Sequence, residues 1–147
     1  MKRISRSAIV ERSAHELYAL VEDIEQYPDF LPWCLAARVR ERVPGRTVAT
    51  LTVGVQGMTQ SFTTENSNSP GRAIAMRLLE GPFRRFAAAW RFTPLGMRAA
   101  KIEFALEYEF ANRMAAEALE PLFDRIADSM VEAFARRAQK GHGKAAR

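Results

Sequence analysis

Apolar residues recur at every second position through most of the chain between Cys34 and Phe110, and five turn signals divide this region into six segments. The segments are too closely spaced for crossover helices, so they predict an antiparallel meander with one apolar face. Only residues 58–67 lack a clear alternation, although their β-branched content still favours a strand. The turn signals are Pro44-Gly45, Gln56-Gly57, residues 69–71, Gly81-Pro82 and residues 94–96.

Two helices and one further strand flank this meander. Residues 2–10 are predicted as a strand, and Ser13 with Glu16 forms a capping box that starts a short helix. A long amphipathic helix is predicted from Asn112 to about Gln139. Because the first strand alone is available to cover the free edge of the last strand, we predict the spatial order 1-7-6-5-4-3-2, with the long helix across the concave face.

Length and composition predict a single domain. The chain has 147 residues, of which 48% are hydrophobic, and this is enough for a core without disulfides or metals. We expect the domain to span residues 1–140 and the basic tail, residues 141–147, to be disordered. The sequence contains no recognisable secretion signal or membrane-spanning stretch, so we expect a cytoplasmic protein.

The inward face of the predicted sheet becomes aromatic towards its later strands, and the long helix faces it with further large apolar residues. A curved sheet that does not close fully on its helix leaves an apolar cavity, which suits a hydrophobic ligand. The alternative is that these side chains simply fill one another's space, the usual role of an aromatic stripe. The candidate cavity residues are Trp33, Phe62, Met76, Leu78, Phe83, Phe86, Trp90, Phe92, Phe104, Tyr108, Phe123, Ile126, Met130 and Phe134.

The segment before the meander has two interpretations. Pro28 and Pro32 fix an extended turn, after which Trp33 either plugs the end of the core or belongs to a gate for the cavity. Cys34 has no histidine near it in the sequence and apolar neighbours surround it. We therefore predict that Cys34 is a small buried residue and not a nucleophile.

Residue types that carry catalysis are scarce. His15 is predicted on the polar face of the short helix and His142 in the tail, so neither is placed as a base inside a cavity. The sequence has no phosphate loop, dinucleotide-binding turn, metal-ligand cluster or nucleophile elbow. We therefore predict no catalytic residues, no metal and no enzymatic activity.

The charge balance admits anionic partners, since the net charge is +5 and the isoelectric point is about 9.9. Arg38, Arg40 and Arg42 are predicted to share one outward strand face as a basic surface. This surface either solubilises the protein, holds it at an anionic membrane, or contacts ribosomal RNA. The aromatic residues face inward and offer no stacking platform for bases, which favours the membrane over RNA; DNA is not a predicted partner.

Three segments resemble one branch of the START-like superfamily, the branch that contains the coenzyme Q-binding and RatA proteins. They are residues 27–34 (YPDFLPWC), residues 81–92 (GPFRRFAAAWRF) and residues 130–138 (MVEAFARRA). The resemblance implies the α+β helix-grip fold. In this fold a seven-stranded antiparallel curved sheet wraps around a long C-terminal helix, and short helices connect strands 1 and 2.

The same resemblance implies three functions. The main prediction is a carrier or chaperone that binds ubiquinone or a similar isoprenoid ligand between sheet and helix, supports respiratory electron transport, and uses no other cofactor. The alternative is a RatA-type toxin of a toxin–antitoxin pair, which binds the large ribosomal subunit and blocks subunit association. The third is a polyketide cyclase-like enzyme. The implied partners are a hydrophobic small molecule, the ribosome, and an anionic membrane at which the protein is peripherally bound.

Overall fold

The computed structural model of the protein describes residues 1–55 and 57–140. The predicted disordered tail at 141–147, with its His142, and the predicted turn residue Gln56 lie outside the described residues. The elements are, in chain order, β1 (Lys2–Val10), α1 (Ala14–Glu22), a 3₁₀ helix (Ile24–Asp29), β2 (Cys34–Val43), β3 (Arg46–Val55), β4 (Met58–Ser69), β5 (Ala73–Glu80), β6 (Phe83–Gly96), β7 (Ala99–Phe110) and α2 (Arg113–Gln139).

The strands of the described residues form one seven-stranded antiparallel sheet in the order β1-β7-β6-β5-β4-β3-β2, which confirms the predicted topology. β1 covers β7 along its whole length, from the pair Lys2 and Tyr108 to the pair Val10 and Ala100. This pairing satisfies the backbone groups that the meander leaves free at its last strand. The predicted α+β helix-grip class is confirmed.

β4 is a strand although apolar and polar residues alternate poorly along it, and the residues on its inward side explain the poor alternation. Phe62 is the large apolar residue on that side, while Thr64 and Asn66 also point inward and are buried. Thr64 Oγ1 donates a hydrogen bond to Asn66 Oδ1 at 2.8 Å, which offsets part of the cost of burying both polar groups. Polar residues therefore occupy inward positions of β4 that usually hold apolar side chains, and the sequence of this strand shows no clear alternation.

α2 lies across the concave face of the sheet and buries its apolar stripe there. Asn112 caps the helix, because its Oδ1 accepts the Ala115 N–H at 2.8 Å. Ion pairs fasten α2 to β1, with Lys2 Nζ 2.5 Å from Asp124 and Arg6 2.7 Å from Asp128. No helix of the described residues is both long and apolar enough to cross a membrane. The buried residues of α2 are Leu119, Leu122, Phe123, Ile126, Ala127, Val131, Phe134 and Ala138.

α1 begins with the predicted capping box. Ser13 Oγ accepts the Glu16 N–H at 3.1 Å, and Glu16 Oε1 accepts the Ser13 N–H at 2.9 Å. The hydrogen bond from the Ser13 backbone holds the pKa of the Glu16 carboxyl below its ordinary value. α1 then packs on β6, where the edge of Tyr18 meets Phe92 at 5.9 Å between ring centroids.

The predicted basic surface is wrong at one of its three residues. A register shift in β2 between Val39 and Glu41 interrupts the alternation of side chains. Arg42 consequently points to the concave side, where its guanidinium lies 3.1 Å from Glu22 and 3.3 Å from Glu25. Arg38 and Arg40 are exposed on the outward face as predicted, and Arg40 Nε donates to Thr50 Oγ1 at 2.6 Å.

Candidate functional site

An apolar cavity lies between the sheet and α2, at the position predicted from the aromatic stripe. Its volume is about 50 Å³. Ten of the fourteen predicted cavity residues line it, namely Trp33, Phe62, Met76, Phe86, Trp90, Phe104, Phe123, Ile126, Met130 and Phe134. The lining also includes Tyr27, Leu51, Ala88, Leu106 and Ala127, which the sequence did not single out.

Four predicted cavity residues lie elsewhere in the core. Phe83 stacks on Phe110 at 5.1 Å between centroids, and Phe92 packs against Tyr18. Tyr108 is 1% exposed, and burial raises the pKa of its hydroxyl to about 12. Leu78 is half-buried and packs against the core without lining the cavity. These residues share the inward face of the sheet, but that face is longer than the cavity.

Tyr27 is the most informative of the missed residues. It follows no strand alternation, because it lies on the 3₁₀ helix between α1 and β2. Its ring meets Phe134 of α2 edge-on at 5.3 Å, and its buried hydroxyl donates to the Val21 carbonyl. Burial raises the pKa of Tyr27, so the hydroxyl stays protonated at neutral pH. The signal available in the sequence was its place at the start of the YPDFLPWC segment.

The aromatic side chains fill most of the space between the sheet and α2. Trp90 packs on Phe104 at 4.7 Å and on Phe134 at 5.1 Å between ring centroids. Pockets for drug-sized ligands have volumes of about 300 to 1,000 Å³, and an isoprenoid quinone needs a pocket in that range. A cavity of about 50 Å³ holds one or two water-sized groups. In this conformation the stripe is mainly a packed core.

Polar groups at the cavity wall are already hydrogen-bonded. Trp33 Nε1 donates to Ser129 Oγ on α2 at 3.2 Å, so this cavity residue is bonded to the long helix. Cys34 beside it is buried, as predicted, and its thiol contacts the Ala36 carbonyl oxygen at 3.6 Å. Burial raises the pKa of the Cys34 thiol to about 11, which leaves it protonated and a poor nucleophile at neutral pH.

A small pocket of about 20 Å³, lined by both apolar and polar residues, adjoins the apolar cavity beneath the end of α1. Asn68 Nδ2 donates to Thr47 Oγ1 at 3.0 Å, and Thr47 Oγ1 lies 3.4 Å from a carboxylate oxygen of Glu22. Asn68 Oδ1 is buried and has no hydrogen-bond partner among the described residues. The two spaces share Tyr27, Leu51, Met76 and Trp90 in their walls, whereas Thr47 and Asn68 belong to the wall of the smaller one alone.

Few side chains in the part of the chain that the structure describes are placed for catalysis or metal binding at the cavity. Its His, Cys, Asp and Glu side chains form no group of three or more that is able to hold a metal ion. His15 is exposed, as predicted, and lies outside the cavity. The cavity wall contributes the Tyr27 hydroxyl and the Trp33 indole, and both donate to protein groups.

Comparison with known proteins gives a family and several relatives. Residues 10–135 match the family described as "Polyketide cyclase / dehydrase and lipid transport". The "Ribosome association toxin RatA" of Vibrio cholerae is 42% identical over 144 residues, which cover 98% of this chain and 100% of that protein. The "Coenzyme Q-binding protein COQ10 homolog B, mitochondrial" of Xenopus laevis is 29% identical, with 97% of this chain and 61% of that protein covered.

The fold is also found among solved structures. The Zhui aromatase/cyclase from a Streptomyces species superimposes with a TM-score of 0.85, covering 95% of this chain and 94% of that one. Its sequence identity is 21%, so this likeness shows the shared fold alone.

Proposed function

The chain belongs to the polyketide cyclase/dehydrase and lipid transport family, and from this membership and its relatives we propose that it is a ribosome-association protein of the RatA kind. The predicted resemblance to the START-like branch with RatA and coenzyme Q-binding proteins is confirmed. The observation that carries the proposal is the similarity to RatA over the full length of that protein.

The relatives favour the alternative over the main prediction made from the sequence. The RatA proteins of Vibrio cholerae and Escherichia coli are 41–42% identical to this chain, whereas the coenzyme Q-binding relative from Xenopus laevis is more distant at 29%. The packed interior supports the same choice, since a cavity of about 50 Å³ does not accommodate an isoprenoid quinone. A quinone carrier is therefore the second candidate for this chain and not the first.

The proposed activity is binding to the large ribosomal subunit in a way that blocks its association with the small subunit. Such an activity needs a rigid body with a complementary surface, and it needs no chemical step. A net charge of +5 suits a partner whose surface is largely RNA phosphate, because basic side chains release counterions from it on binding. With the ribosome as its partner the chain would act in the cytoplasm, and the proposed blocking of subunit association requires no enzymatic step.

The test is cosedimentation with bacterial ribosomes in a sucrose gradient at low magnesium, where the two subunits separate. We expect the purified chain to move with the large subunit at low salt and to dissociate as the salt concentration rises. The small-subunit fractions of the same gradient are the internal control. A chain that stays at the top of the gradient at every salt concentration would overturn the proposal.

A second candidate function is binding of a hydrophobic ligand, for which the apolar cavity and the buried Asn68 Oδ1 in the adjoining pocket, which has no hydrogen-bond partner among the described residues, give a specific reason. An amphipathic molecule would place its apolar part against Trp90 and Met76 and its polar group near Asn68, provided that the core opens. Mass spectrometry of an organic extract of the purified chain tests this candidate. A stoichiometric quinone or lipid would support it, and an extract with no bound molecule would count against it.

The two remaining predictions from the sequence receive less support. None of the relatives described above is named for a membrane, so peripheral contact with an anionic membrane stays a prediction. A cyclase-like activity is supported by the family description alone. The relatives at 41–42% identity are named as toxins, and this favours the non-enzymatic proposal.

A further inference from the structure

A surface groove of about 880 Å³ lies where the start of α1 meets the turn between β4 and β5 and the end of β6. It is separate from the apolar cavity and from the Arg38 and Arg40 surface. Its wall combines three basic side chains with hydroxyl groups and exposed backbone. The lining residues are Ala14, His15, Ser69, Pro70, Gly71, Arg72, Ala73, Arg91, Phe92, Thr93 and Pro94.

The floor of the groove is held in one shape by close contacts. Gly71 has a φ of +74°, and a side chain there would lie 2.7 Å from the His15 imidazole, which therefore packs directly on the turn. The Phe92 N–H donates to the Arg72 carbonyl at 2.8 Å and ties the turn to β6. Arg91 pairs with Ala73 across the two strands. Arg72 and Arg91 therefore lie close together, on backbone that these contacts hold in place.

No ion pair within 4 Å neutralises the arginines of the groove among the described residues. No Asp or Glu side chain is part of its wall, and neither Arg72 nor Arg91 forms an ion pair with a described carboxylate. Glu103 faces Arg91 across the sheet, but its carboxylate lies 3.7 Å from Lys101. By contrast, Arg46 and Arg77 on the same sheet both bind Glu65. The groove is therefore a place where positive charge remains available to a partner.

We propose that this groove binds the phosphodiester backbone of RNA, and that it is the face through which the chain contacts the ribosome; this inference rests on the proposed function. Guanidinium groups bind phosphate oxygens through two parallel hydrogen bonds, and Ser69 and Thr93 add hydroxyl donors beside them. A concave wall that presents two guanidinium groups beside hydroxyl groups follows a strand of phosphates better than it follows a flat membrane.

The groove is a stronger candidate than the basic surface predicted from the sequence. The groove beside Arg38 and Arg40 has a volume of about 360 Å³ and includes Glu80 in its wall. Arg40 is already hydrogen-bonded to Thr50. A carboxylate repels phosphate, and a guanidinium with a partner gains less from a new one. The two surfaces have two outward arginines each, so they provide a matched comparison.

The experiment compares Arg72→Gln/Arg91→Gln with Arg38→Gln/Arg40→Gln, which lose the same charge on different faces. Binding to purified bacterial large ribosomal subunits is measured between about 50 and 200 mM salt, and again with protein-free RNA from those subunits. We expect the groove variant to bind more weakly to both probes. Its slope of log affinity against log salt should fall by about 0.7 to 0.9 for each lost phosphate contact.

The matched variant should keep the affinity and the salt slope of the unmodified chain, and Arg72→Lys/Arg91→Lys should restore most of the slope because the charge returns. Unchanged far-ultraviolet circular dichroism and unfolding midpoints establish that each variant is folded. Weaker binding to subunits with unchanged binding to protein-free RNA would overturn the inference in favour of a ribosomal protein partner. So would a groove variant that binds both probes as the unmodified chain does.

Failure of the inference and failure of the proposed function give different results. If the unmodified chain binds the subunits and only the Arg38 and Arg40 variant is impaired, ribosome association stands and the groove is the wrong surface. If the unmodified chain itself does not bind, both the proposed function and this inference are overturned.

Discussion

Replacing Trp90 by alanine tests whether the aromatic stripe is a packed core. Trp90 is 3% exposed and touches the rings of Phe104 and Phe134 at 4.7 and 5.1 Å between centroids. Truncating a buried tryptophan costs about 3 to 5 kcal/mol, and aromatic contacts of this kind place the loss in the upper part of that range. We therefore expect Trp90→Ala to lower the free energy of unfolding by about 4 to 5 kcal/mol.

The assay is urea unfolding followed by circular dichroism, with the free energy extrapolated to water at constant slope. Trp90→Phe is the matched control, because it keeps an aromatic ring in the same place and should lose much less. Benzene provides a second readout. It should raise the unfolding midpoint of Trp90→Ala, whose enlarged apolar cavity admits it, and leave the unmodified chain with its cavity of about 50 Å³ almost unaffected.

A loss below about 2 kcal/mol would refute this reasoning, because it would mean that Trp90 borders space that its neighbours do not fill. Copurification of a quinone with the unmodified chain and its disappearance from Trp90→Ala would have the same consequence. Either result would make the quinone carrier the first candidate function.

Three further predictions concern local structure. Ser13→Ala removes the hydroxyl of the capping box and should lower stability by about 0.5 to 2 kcal/mol, measured by urea unfolding. The pKa of Glu16 in the folded chain lies below its ordinary value of 4.5, so the stability from its hydrogen bond is present above pH 4.5 and is lost as the pH falls through the lowered pKa. Glu16→Gln should therefore weaken the decrease in the free energy of unfolding below pH 4.5. Gly71→Ala should cost more than Gly45→Ala, since both have positive φ but only position 71 meets His15, and a double change with His15→Ala should reduce the difference. Equal losses at 71 and 45 would contradict the contact.

The overall architecture follows from the sequence because it depends on alternation and connection length. The pairing of β1 with β7 was predictable, since the first strand was the only one left to cover the open edge of the last. The capping box at Ser13 and Glu16 was equally local and equally readable. Each of these features is set by residues close together in sequence or by simple topology.

The failures arise where the side-chain pattern depends on distant contacts. Arg42 was placed on the wrong face because a β-bulge has no clear sequence signature and changes every side chain after it. Tyr27 reaches the cavity from a 3₁₀ helix whose position depends on packing against Phe134. The groove around Arg72 and Arg91 is lined by three segments that are far apart in the chain, so no linear sequence motif predicts it.

Association of ribosomal subunits, followed by light scattering, tests the central claim most directly. Large subunits are mixed with the chain before small subunits are added, and the rise in scattering reports the formation of complete ribosomes. We expect the rise to decrease in proportion to the chain and to vanish near about one chain per large subunit. A full rise in the presence of about a tenfold molar excess of the chain would contradict the proposal that it is a ribosome-association protein.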